Sequence, residues 1–148
     1  MMKDKKRLAL FLIVLNLAFI WGNSMRVGTD SQEMSKGILE WINFFLRLED
    51  LDMMALLHHL LRKAAHITEF ACLGALLAWH GLLTEEKHKF ALPALLGMAA
   101  GLVDETIQLI TPNRGPSLSD VWLDSFGAVT GIMLLLLGYH LRKRKQNS

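Results

Sequence analysis

Arg62, Lys63, His66 and Glu69 lie within eight residues of one another at the start of an apolar stretch, an arrangement suited to chemistry on a phosphate. Arg grips phosphate through a bidentate fork, Lys as a point charge, and His or Glu can take up a proton as a general base. A second group, Asp104, Glu105 and Gln108, lies near the end of another apolar stretch. A third, Asp120 and Asp124, opens a further one, and Arg114 stands in the connection between these two groups. Carboxylates such as Asp104, Glu105 and Asp120 can hold a divalent metal through hard oxygen ligands, or keep an acid proton. A charge inside an apolar helix is costly, so each of these groups is expected to face a partner or a water-filled cavity.

The elements that must position these groups are membrane helices. Of 148 residues, 52% are hydrophobic and 20% charged, and the charges gather chiefly at the two ends and in one long connection. A bilayer core takes about 20 helical residues, and four stretches approach that length, near 8–25, 64–83, 90–110 and 120–141. Residues 131–138, Gly-Ile-Met-Leu-Leu-Leu-Leu-Gly, are apolar on every face, which excludes the narrow apolar stripe of a soluble amphipathic helix. The chain reads as an all-α polytopic membrane bundle of four spans forming one domain over 1–148, with the lipid bilayer as its surroundings and no nucleic-acid partner.

The first span follows Lys3, Lys5, Lys6 and Arg7, as a secretory signal would, but Trp21-Gly22-Asn23-Ser24 offers no small-x-small cleavage site. An uncleaved anchor is expected. If the N-terminus is cytoplasmic, the inner segments hold those four residues together with Lys87, Lys89, Arg142, Lys143, Arg144 and Lys145. The outer segments hold only Arg26, Lys36, Arg47, Arg62, Lys63 and Arg114, spread over a far longer stretch. The positive-inside rule therefore places both termini in the cytoplasm and gathers all three polar groups at the outer face.

Helical spacing gives each group a single face. Arg62, His66 and Glu69 are separated by four and three, with Lys63 beside them, and Asp104 and Gln108 by four, with Glu105 adjacent. Gly97 and Gly101 continue the stripe of the second group, and Gly127 and Gly131 continue that of Asp120 and Asp124. Small residues four apart let membrane helices approach closely, so the charges sharing those faces should point into the bundle.

In the connection 23–63, Ile38, Trp41, Ile42, Phe45 and Leu48 recur at helical spacing, with Glu40, Asn43, Arg47 and Asp50 opposite. An amphipathic helix near 36–50 is expected, lying on the membrane or packed as a lid on the bundle. His58, His59, His80, His88 and His140 show no ligand spacing and read as interfacial or surface side chains. The only cysteine, Cys72, reads as a small buried hydrophobe within a span.

Arg62-Lys63-Ala64-Ala65-His66 with Glu69-Phe70, then Asp104-Glu105-Thr106-Ile107-Gln108, Arg114 with Ser117, and Asp120 with Gly127 and Gly131 resemble the motif series of the VanZ-like membrane proteins. The resemblance covers 60–138, whereas the first span and surface helix are similar in layout only. Phe70 stands where that family often has Tyr, Asn113 where a Gly commonly precedes the Arg, and Asp124 where Asn is usual. The resemblance implies a bacterial envelope protein, because the name-giving member is associated with resistance to the glycopeptide teicoplanin.

Three roles are open to these residues. In the first, Arg62, Lys63 and Arg114, with Gln108 and Asp124, bind a phosphate-bearing ligand of the outer leaflet, a phospholipid headgroup or a lipid-linked envelope component. In the second, the protein is a membrane-embedded hydrolase or transferase acting on a lipid phosphate, with His66 or Glu69 as base and Asp104, Glu105 and Asp120 holding a metal or a proton. In the third, the charges only fix helix packing. Glu69, Asp104, Glu105, Asp120 and Asp124 outnumber Arg62, Lys63 and Arg114 by two, an imbalance that a desolvated site relieves by taking up protons or a cation. The spacing specifies neither a particular metal nor another cofactor.

Overall fold

A computed structural model describes residues 2–26, 37, 51–112 and 117–146. Among the described residues the long helices are α1 (Met2–Ser24), α2 (Leu51–Leu83), α3 (Ala91–Ile110) and α4 (Leu118–Gln146). Among the described residues there is no strand. All four helices contain windows long and apolar enough to cross a membrane, the one in α2 running over His59–Leu83. The surface helix expected near 36–50 lies outside the described residues except for Gly37.

Local chemistry sets the helix ends. After α2 the chain turns through a Schellman arrangement, in which the Glu86 N–H donates to the Gly81 carbonyl at 2.9 Å while Glu85 takes φ 60°. Pro93 sits in the first turn of α3, where its missing N–H has no helical partner to lose. Pro112 forces the preceding Thr111 out of the helical region, to φ −88° and ψ 124°, and so stops α3 at Ile110. In α4, Asp120 in the first turn and Lys143, Arg144 and Lys145 in the last complement the helix dipole.

The helices alternate in direction, with α2 and α4 making the most extensive pair. Glycines permit that approach. A Cβ placed at Gly131 would collide with the Ala71 carbonyl of α2, one at Gly74 with the Ala128 carbonyl of α4, and one at Gly127 would stand 2.7 Å from the Ile67 oxygen. Gly97 and Gly101 bring α3 against Ala128 and Asp124 in the same way. Ile13, Ile20, Phe70, Leu73, Ala100 and Ala128 form the core among these helices.

Large apolar side chains cover much of the outside, among them Phe11, Leu95, Trp122, Phe126 and Leu134. A water-soluble monomer does not expose such an area of hydrocarbon, whereas a bilayer accommodates it. Cys72, expected as a buried hydrophobe, is exposed instead, on a helix face that does not pack against the bundle.

The second span, expected from residue 64, is the inner part of a longer helix. The helix starts at Leu51, because the mixed apolar and basic residues before Ala64 continue the same helix beyond the span's most apolar part. Asn23, the first residue of the expected connection, belongs to the last turn of α1.

Candidate functional site

The end of α1, the Arg62–Glu69 portion of α2, the end of α3 and the start of α4 come together at one end of the bundle. Thr111 donates through Oγ1 to the Ser24 carbonyl at 3.2 Å, joining α3 to α1, and Trp21 Nε1 donates to the Ala100 carbonyl at 3.4 Å. Asp104, Glu105, Gln108 and Asp124 are buried, the two aspartates with 0% exposure, so the stripes that carry the charges do face inward.

Two layers can be distinguished. In the outer one, His59, Arg62, Lys63 and His66 of α2 face Ser117, Ser119, Asp120 and Leu123 across an open cavity of about 300 Å³. Lys63 Nζ lies 3.6 Å from Asp120 Oδ1, and the Ser117 and Ser119 hydroxyls are 2.6 Å apart. The cavity wall therefore holds two fixed cations against one carboxylate, with the N-terminal turn of α4 beside them, an arrangement favourable to an anion.

The inner layer is more enclosed. Arg62 donates to Gln108 Oε1 at 3.1 Å, and Gln108 Nε2 donates to Asp104 Oδ2 at 2.7 Å, a relay running from the cavity wall to a buried carboxylate. Helical spacing produces it: Gln108 stands one turn beyond Asp104, so its amide reaches back to the acid and forward to the cation. His66 Nδ1 lies 3.5 Å from Asp124 Oδ1 and 3.9 Å from Asp104 Oδ2. Neither oxygen of Asp124, nor Asp104 Oδ1, nor His66 Nδ1 has a hydrogen-bond partner.

The remaining acids are engaged elsewhere. Glu69 accepts a hydrogen bond from Asn23 Nδ2 at 3.1 Å, and Glu105 Oε2 accepts one from the Ser117 backbone N–H at 2.8 Å. Sequence reasoning grouped Asp104, Glu105 and Asp120 as the carboxylates able to share a metal. The structure divides them, because Glu105 faces the start of α4 and Asp120 faces Lys63, and the compact His and carboxylate group is His66, Asp104 and Asp124. Arg114 lies outside the described residues.

Asn23 and Ser119 had not been singled out from the sequence. Asn23 lies near the end of the first apolar span, and that end, on the face that meets the other polar groups, is the signal that could have found it. His59, expected as a surface side chain, is exposed and also lines the cavity.

Four apolar helices enclosing a buried polar relay and an open polar cavity at one end define a multi-pass membrane protein of the small helical-bundle class. The model of the VanZ/LLP1 family matches residues 9–139, from the first helix to the last, and the chain belongs to that family. No curated protein and no solved structure matches it.

Proposed function

We propose that this is a bacterial cell-envelope protein, with both termini in the cytoplasm, whose cavity at the extracytoplasmic face binds the phosphate of an outer-leaflet lipid headgroup or lipid-linked envelope component. The observation that carries this reading is the composition of the cavity wall, where Arg62, Lys63, two hydroxyls and the first turn of α4 outweigh the one carboxylate, Asp120, around a space of about 300 Å³. A headgroup is polar where the cavity is polar, and its acyl chains match the exposed apolar side chains below. The Lys and Arg distribution supports the outer placement. Sequestering such a component offers a route to altered glycopeptide susceptibility, in keeping with the teicoplanin association of the family's name-giving member.

A second reading, a hydrolase or transferase acting on a lipid phosphate, is favoured by one observation: His66, able to act as a general base, lines the cavity, with Asp124 3.5 Å from its Nδ1.

Purified protein titrated with short-chain phosphatidylglycerol, with the corresponding diacylglycerol and with inorganic phosphate distinguishes these ligands. Saturable binding of phosphatidylglycerol, none of diacylglycerol, and competition by inorganic phosphate are expected. Equal binding of the phosphate-free lipid would overturn the reading, and release of a phosphate-bearing product during the titration would favour the enzyme.

A further inference from the structure

Between α2, α3 and α4 the structure gathers one imidazole and two carboxylates that satisfy one another poorly. One ligand atom from each of His66, Asp104 and Asp124 lies within 4.8 Å of the others. Both aspartates have 0% exposure, and both Asp124 oxygens lack any hydrogen-bond partner. Buried polar atoms are almost always partnered, and an ionised carboxylate withdrawn from water without compensation is among the least favourable groups a fold can contain. Something positive belongs between these side chains.

A proton on His66 offsets only one of the two carboxylates and leaves the pair without a close hydrogen bond. An imidazolium donating to a carboxylate draws it to about 2.7–2.9 Å, whereas His66 Nδ1 stands 3.5 and 3.9 Å from the two acids and makes no hydrogen bond. The 3.5 Å separation from Asp124 Oδ1 is close to the edge of a coordination polyhedron, and the 3.9 Å one is to Asp104 Oδ2, so Asp104 would ligate through its other oxygen, Oδ1. Tetrahedral ligands with bonds of about 2.0–2.1 Å lie about 3.3 Å apart. The outer shell is also in place, since Asp104 Oδ2 is held by Gln108, itself held by Arg62, which leaves Asp104 Oδ1 unpartnered.

We propose that His66, Asp104 and Asp124 bind a first-row divalent cation, Zn²⁺ or Mn²⁺, with a coordination position open toward the cavity that His66 also lines. The donor set decides the metal class. An imidazole nitrogen disfavours Mg²⁺ and Ca²⁺, two carboxylates without thiolate disfavour Cu⁺, and three protein ligands leave room for a water or an anionic oxygen. A dipositive ion balances the two carboxylates. The site stands whether or not the cavity takes a phosphate headgroup, because it is defined by side chains alone.

The test uses the full-length protein in detergent, stripped by a chelator, equilibrated separately with Zn²⁺, Mn²⁺ or Mg²⁺, desalted and assayed for metal content and thermal unfolding. About one equivalent of Zn²⁺ or Mn²⁺ per chain is expected to remain, with a raised melting temperature, and little Mg²⁺. Asp124→Asn and His66→Ala are each expected to lower retention at least about tenfold, whereas Glu86→Gln, in the turn after α2 at the other end of the bundle, leaves it unchanged. Co²⁺ added to the unaltered protein gives visible d–d bands from a nitrogen- and oxygen-ligated site, a readout that needs no variant to fold. Absence of retention, of a melting shift and of the Co²⁺ bands in the unaltered protein would overturn the proposal. So would equal retention by the Asp124→Asn and His66→Ala proteins, or preferential retention of Mg²⁺.

Discussion

His66 Nδ1 and Asp124 Oδ1 lie 3.5 Å apart across the α2–α4 contact, an ion-pair distance without a well-formed hydrogen bond, with the aspartate wholly buried. The two helices are brought to this distance by glycine packing one and two turns further along α4, at Gly127 and Gly131, rather than by the pair itself. The polar pair is a passenger of the backbone geometry. In chelator-treated protein, Asp124→Asn should therefore raise stability by about 1–3 kcal/mol, because it removes a buried unpartnered charge at constant shape. Thermal unfolding in detergent checks this, and a lower melting temperature would show that the carboxylate already has a stabilising partner.

The glycine contacts give a second expectation. Gly131→Ala places a methyl group against the Ala71 backbone and should destabilise the α2–α4 pair by about 1–3 kcal/mol. Gly138→Ala meets nothing within 4 Å and should be neutral or stabilising by up to about 1 kcal/mol. Unfolding curves of the two variants, measured side by side, should move in opposite directions or differ by at least the first amount.

Topology follows from the charge distribution. A reporter active only in the cytoplasm should function when fused after Lys87 or Lys145 and fail when fused after Asn113. The reverse pattern would put the cavity on the cytoplasmic side and exclude an outer-leaflet ligand.

Much of the fold was legible because hydropathy sets the spans and helical period sets the faces. The stripe of Arg62, His66 and Glu69 and that of Asp104 and Gln108 do turn inward together with Gly97, Gly101, Gly127 and Gly131. What spacing within one helix does not contain is the axial register between helices. For that reason Glu105 and Asp120, on the expected stripes, engage Ser117 and Lys63 rather than the His66 group, and Asp124 takes a place in that group that sequence reasoning gave to other acids. Gly74 was missed because its contact is with a backbone carbonyl of another helix, which no motif within α2 announces. Asn23 was missed because it lies inside an apolar span, where the spacing within α1 does not show that Glu69 of another helix stands opposite.

The proposed role depends on whether the polar groups act on a ligand or only on one another, and Arg62 separates these cases because it both lines the cavity and holds Gln108. The decisive quantity is the phosphatidylglycerol dissociation constant of the Arg62→Ala protein, referred to the amount that is folded in the membrane. It should rise about tenfold or more, in line with about 1.5–3 kcal/mol for a hydrogen bond to a charged group, while membrane abundance stays within about twofold of the unaltered protein. An unchanged dissociation constant, or loss of the protein from the membrane that is reversed by replacing Gln108 with Leu in the same chain, would show instead that Arg62 serves packing alone.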